Sequence, residues 1–230
     1  MTNTSELVPF IEISTVTSKL LRKGAYKDSF PEYYQLATVT ENSVWHAHQN
    51  VLDHVIGVFS GLETVVEFSE FDDESKNQLH NYLAATIGNQ TRLNILKIAA
   101  LLHDIAKTDV LVTRPDGTAS CPGHELIGAA RVKNFSVRFN LDATAESYVE
   151  RIVRYHGFIS EILNLILANG AIEKYQTIFA ETVGDVSIEL ILLMHADLLG
   201  CDLEKGDKSG YVKRIEILHS MLQQHVNGLH

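Results

Sequence analysis

The sequence predicts an all-α fold, and three observations carry that expectation. Long apolar segments recur with helical periodicity, and no stretch alternates apolar and polar residues over many positions. Only four prolines occur in 230 residues, and glycine-rich breaks are few. Hydrophobic residues make up 45% of the chain, enough for one sizeable core. There is no internal repeat and no low-complexity segment, so a single domain over residues 1–230 is expected.

The expected helices lie near 5–23, 31–38, 47–67, 72–86, 91–107, 123–137, 142–156, 158–169, 171–181, 185–200 and 207–227. Lys19, Arg22, Lys23 and Lys27 near the first of them read as a solvated face. In the third, Val51, His54, Val55 and Val58 follow i, i+3, i+4, i+7 spacing, so His54 points where the apolar stripe points. After the fifth, the helical pattern stops. Val110-Leu111-Val112-Thr113 and Thr118-Ala119-Ser120 flank Arg114-Pro115-Asp116-Gly117, and Pro-Asp-Gly is strong turn chemistry. A short hairpin or ordered loop is expected there, lying over any site next to it. Pro122 and Gly123 then open a helix at His124. Further on, His156 shares a stripe with Val149, Ile152 and Val153, and Asp197 with Leu190, Leu193 and Met194. Ser187 to Gly200 is apolar all round, as in a central buried helix. Tyr211, Ile215, Leu218 and Leu222 mark a last packing helix, with a homodimer face as the alternative.

Composition excludes several function classes. The net charge of -10 argues against broad nucleic-acid binding, which needs Lys and Arg to neutralise phosphates. A small phosphorylated substrate stays compatible, because a metal centre overrides the global charge locally. No apolar run approaches the roughly 20 residues of a membrane span. Met1 to Glu6 shows no secretory pattern, and Cys121 and Cys201 are the only cysteines. A reduced, cytoplasmic setting is expected. No Cys-His signature surrounds Cys121, which reads as a loop residue.

The most informative stretch is Ile98-Ala99-Ala100-Leu101-Leu102-His103-Asp104-Ile105-Ala106-Lys107. Adjacent ionisable groups in an apolar helix must be satisfied, since burying them unpaired costs several kcal/mol. A divalent cation does so, because neutral imidazole and carboxylate are good first-row metal ligands. The alternative is a core histidine bonded to its neighbours, with Asp104 as a local cap. His54, His156 and Asp197 also aim ionisable groups into the core from separate helices. Together the five supply a ligand set for one or two cations.

The order His54, His103-Asp104, Asp197 resembles the HD-domain metal-dependent phosphohydrolase superfamily. Phe30-Pro31-Glu32, Trp45-His46, Val51 and His54, His103 to Lys107, Asp116-Gly117 and Gly123-His124-Glu125 are similar to the HD domain of bacterial tRNA nucleotidyltransferases and poly(A) polymerases. The resemblance covers about residues 30–200 and points to a helical bundle. It does not extend to a nucleotidyltransferase head, so a standalone domain is expected. Val55 stands where that family often has Thr, and His48 where it usually has an acidic or small residue.

The resemblance implies His54, His103, Asp104 and Asp197 as metal ligands. It makes His124 and His156 either ligands of a second cation or groups that contact phosphate and move protons. His124, in the first turn of a helix, suits phosphate. One tightly bound ion (Mn, Fe, Ni, Co, Zn or Mg) is slightly favoured over two. Lys107 reads either as a phosphate contact or as a solvated helix end. Trp45 and His46 are assigned to structure, bracing the first ligand helix, and His195 to the core. His225 and His230 are expected to face solvent. Asp104, Lys107, His124 and His156 are the catalytic candidates. The expected reaction is metal-assisted attack of water on a phosphate monoester or phosphodiester, with a nucleotide or cyclic nucleotide as substrate. The alternatives are a non-catalytic regulatory module and, less favoured, a di-iron HD oxygenase.

Overall fold

The computed structural model describes residues 9–228, and helices dominate it as expected. Residues 5–8 of the first expected helix and His230 lie outside the described residues. Of that first helix, only a 3-10 turn at Ile13–Thr15 and a short helix α1 (Ser18–Arg22) form, the latter capped by Thr17. Pro31 then starts α2 (Pro31–Gln35). Two strands follow, β1 (Thr40–Asn42) and β2 (Ala47–Asn50). The expected helix at 47–67 therefore begins late, as α3 (Val51–Val65). The Asn50 side chain accepts the amides of Leu52 and Asp53, and this cap fixes the boundary. Asp72 caps α4 (Asp73–Ala84). A two-stranded turn, β3 (Thr86–Ile87) with β4 (Gln90–Thr91), leads to α5 (Arg92–Leu102), which Thr91 caps.

The expected helix at 91–107 breaks at its chemistry-bearing end. His103 is the C-cap of α5, and residues 103–106 form turns before the short α6 (Lys107–Val110). The expected hairpin is present, as β5 (Val112–Thr113) and β6 (Ala119–Ser120). It is not free-standing. β6 pairs with β1, giving one antiparallel sheet in the order β2-β1-β6-β5, and Asn42 Nδ2 donates to Gly117 O at its tip. No strand alternation is visible in so few residues, so only the hairpin turn was readable.

The remaining chain is helical. It comprises α7 (His124–Arg131), α8 (Ala143–Asn169), α9 (Ile172–Val183), α10 (Ser187–Gly200), α11 (Leu203–Gly206) and α12 (Lys208–Val226). The expected break near Gly157 does not occur. A helix-interior glycine costs about 1 kcal/mol but does not end a helix. Here it admits a neighbour, because a Cβ on Gly157 would stand 2.8 Å from Glu125 Oε1 of α7. α8 ends only at Gly170, which takes the left-handed conformation.

α10 is buried along nearly its whole length and packs against α3, α5, α8 and α12. Its closest neighbour is α3. A Cβ on Gly200 would meet Val58 N at 2.5 Å, and one on Gly61 would meet Ala196 O at 2.8 Å. Glycines on both helices thus let the two backbones touch, which brings His54 of α3 and Asp197 of α10 to one point.

Candidate metal centre

Five elements converge on Asp104. His54 comes from α3, the His103-Asp104 doublet from the end of α5, His124 from the first turn of α7 and His156 from the middle of α8. Asp197 of α10 completes the set, and the structure brings all six together. Asp104 sits at the centre, and its two oxygens face different partners. Oδ2 lies 3.5 Å from His54 Nε2 and 3.3 Å from His103 Nε2. Oδ1 lies 3.1 Å from His124 Nε2 and 3.8 Å from His156 Nε2. Asp197 Oδ1 stands 3.0 Å from His54 Nε2 and 4.0 Å from His103 Nε2. Two groups able to hold an ion result, His54-His103-Asp104 and Asp104-His124-His156, with Asp104 in both.

The imidazoles are oriented by the backbone. His103 Nδ1 is 2.9 Å from Ala100 O, His124 Nδ1 2.7 Å from Cys121 O and His156 Nδ1 2.6 Å from Val153 O. His54 Nδ1 is 3.3 Å from Gly200 O. A carbonyl only accepts, so each Nδ1 carries a proton, and a ring that is neutral then turns an Nε2 lone pair into the site; with no cation beside it, Asp104 raises the pKa of His103 and His124 against burial and favours a second proton on those rings. His124 Nε2 and His156 Nε2 face each other at 3.2 Å. Two lone pairs at that distance require a proton or a cation between them. His103 Nε2 is buried without a hydrogen-bond partner among the described residues, and Asp104 Oδ2 faces, besides imidazoles, only the Lys107 ammonium at 2.9 Å. The donor set therefore fits a divalent ion bound by nitrogen and carboxylate oxygen.

Electrostatics follow from burial and crowding. Burial alone would raise the Asp104 carboxyl, but attraction to His103 and Lys107, together with the His124 ring 3.1 Å from Oδ1, holds it well below its usual range. Asp197 is likewise held low, against burial, by His54 and His103. His156 moves the other way. Burial, then repulsion from His103 and His124, pushes it down to about 3. Its ring stays neutral, as a ligand must.

Lys107 is buried, so it is no solvated helix end. Its Nζ lies 2.9 Å from Asp104 Oδ2 and 2.5 Å from Glu41 Oε2. Glu41, on β1, is one residue that sequence reasoning missed. A single acidic residue in a three-residue strand carries no periodic signal. Gln49 was also missed. Its Nε2 donates to Gly200 O at 2.7 Å, and its Oε1 accepts from His46 Nδ1 at 2.8 Å. His46 is thus more than a brace, since it lines the site cavity with its Nε2 3.6 Å from Glu41. His195 does not join. It is half-buried and lines a separate small cavity together with Phe68, Phe71 and Leu222. Cys121 lines the site cavity, where burial pushes its thiol up to about 12, so it carries no thiolate. His225 is half-buried rather than solvent-facing, with Nδ1 donating to Met221 O.

A cavity of about 400 Å³ opens over these groups, and the HD domain profile matches residues 51–200, the segment that supplies all six. The chain belongs to the HD domain family. One relative of this HD domain is a bifunctional uridylyltransferase/uridylyl-removing enzyme of Cereibacter sphaeroides, 31% identical over 132 residues. That alignment covers 57% of this chain and 12% of the relative, so the chain spans only a small part of its length. Among the described residues, no helix is long and apolar enough to cross a membrane.

Proposed function

We propose that this HD domain is a metal-dependent phosphohydrolase acting on a phosphate monoester or phosphodiester, with a nucleotide or cyclic nucleotide as substrate. One observation carries the reading. A buried carboxylate presents each of its oxygens to a pair of imidazole Nε2 atoms whose Nδ1 protons are already committed to carbonyls. His54, His103, Asp104 and Asp197 would hold one ion, and Asp104, His124 and His156 a second. When bound, such ions polarise a phosphoryl group and acidify a water.

Charge supports two ions over one. The cavity is lined by the carboxylates of Glu41, Asp104, Glu125 and Asp197 and by one ammonium, Lys107, a balance of three negative charges. One divalent ion leaves the site negative, which repels phosphate. Two leave it positive. Lys107 is engaged by both Glu41 and Asp104, so its role is to orient Asp104 and temper the acidic cluster. The substrate phosphate then depends on the metals for its counter-charge.

The relative's name favours the diester branch. Removing a uridylyl group is hydrolysis of a nucleotidyl ester, the same chemistry on a nucleotide-bearing substrate. The test is metal analysis of protein purified without chelators, joined to a phosphoester panel. Hydrolysis should stop with chelator and return with Mn²⁺, Ni²⁺, Co²⁺ or Mg²⁺, and His103→Ala and Asp104→Ala should lose metal and activity together. Chelator-resistant turnover would sink the mechanism. Metal binding with no turnover on the panel would make the domain a regulatory module, and oxygen consumption with bound iron would make it an oxygenase.

A further inference from the structure

Trp45 is the single tryptophan of the chain, and it lines the site cavity. It occupies the turn between β1 and β2, where Ser43 N donates to His46 O at 2.9 Å. The turn is tied down from α11's side, since Asp202 N donates to Trp45 O at 2.9 Å. The ring is held as well. The Arg214 guanidinium of α12 lies over the indole, 5.2 Å from its centroid. Arg214 is 9% exposed. Its Nη2 donates to Asn164 Oδ1 at 2.7 Å and its Nη1 to Gly210 O at 3.0 Å.

This arrangement is more than a packing contact needs. A guanidinium stacked on an indole fixes the ring plane and fills one of its faces. The ring is only half-buried, and its chain neighbours Ser43 and Val44 are exposed, Val44 by 67%. The result is a rigid aromatic plate in the wall of the site cavity. Ser160 and Met194 also line that cavity, and the carboxylate-imidazole cluster forms its floor. We propose that Trp45, held by Arg214, is a stacking platform for the aromatic base of the substrate, so that the site selects nucleotides over sugar phosphates. The inference rests on the phosphohydrolase reading only in placing the phosphate at the metal end.

The single tryptophan makes the test direct. Metal-loaded protein is titrated with adenosine monophosphate, cytidine monophosphate and ribose 5-phosphate, following tryptophan emission. Both nucleotides should quench it saturably. Ribose 5-phosphate should reverse that quench by competition while causing none itself. Trp45→Leu should weaken nucleotide binding, read by calorimetry, by about tenfold or more. Ribose 5-phosphate binding should change less than about twofold, and Trp45→Phe should restore most of the nucleotide preference. Nucleotides that leave the emission unchanged, or bind no tighter than ribose 5-phosphate, would overturn the proposal, and the wild-type emission decides this even if Trp45→Leu fails to fold. Quenching without any phosphoester hydrolysis would support the stacking platform while removing the hydrolase reading. Hydrolysis indifferent to the base would do the reverse.

Discussion

Gly200→Ala should damage both stability and the metal centre, although the change adds one methyl group. Gly200 is the last residue of α10, three positions after Asp197, and its backbone lies against α3. A Cβ there would fall 2.5 Å from Val58 N, 2.8 Å from Val58 Cγ2 and 2.9 Å from Gly57 C. Ordinary contact begins at 3.4 Å, so the two backbones must separate by about 0.9 Å. Backbone cannot rotate away as a flexible side chain can, and overpacking of this kind costs about 1–3 kcal/mol. For a chain of this length that lowers Tm by about 2–12 °C. The same separation pulls His54 from Asp197, now 3.0 Å apart, and Gly200 O from His54 Nδ1. Metal sites tolerate about 0.2 Å in ligand distance, so the ion facing Asp104 Oδ2 should be lost first. The assay is calorimetric melting with metal analysis, using Gly206→Ala as control because its Cβ would meet only Val44 O at 3.6 Å. A Gly200→Ala protein with wild-type Tm and full metal content would refute the reasoning.

Three further outcomes are expected. His124→Ala and His156→Ala should each remove about one metal equivalent and spare the other, since the His54-His103-Asp104 group stays intact; elemental analysis counts them, and an unchanged count would leave the two histidines as phosphate contacts or structural groups. Arg92→Met should cost about 1–3 kcal/mol, because it leaves the fully buried Glu189 carboxylate, now 2.7 Å from Arg92 Nη1, with only the Tyr82 and Tyr148 hydroxyls; a melting temperature within a degree or so of wild type would show that the ion pair contributes little. The third concerns pH. Burial, with repulsion from His219 and against attraction from Glu70, lowers the pKa of His195 below its usual value. Between the lowered value and the unfolded one, about 6.5, the unfolded chain holds the extra proton, so stability falls as pH drops through that window. His195→Gln should flatten that part of a stability-against-pH curve, and an unchanged slope would mean the imidazole protonates freely in the fold.

The sequence by itself determined the helical class, the family and the six groups, Asp104 among them, that form the cluster. Each of those depends on local information. Helical periodicity shows which way His54, His156 and Asp197 point before any packing is known, and the His-Asp doublet is contiguous in the chain. Helix ends were less legible. α3 starts at Val51 because the Asn50 side chain satisfies its first amides, and α8 runs through Gly157 because an interior glycine weakens a helix without ending it. Both causes lie outside the apolar pattern. Only the tertiary structure decided that Asp104 serves two imidazole pairs, that Lys107 is locked between Glu41 and Asp104, and that Trp45 is plated by Arg214. The partners in the last two cases stand 66 and 169 positions apart in the chain. The reason is physical: an imidazole tautomer, an ion pair or a stacked ring is set by which atoms meet in space, and chain order constrains that only through the fold.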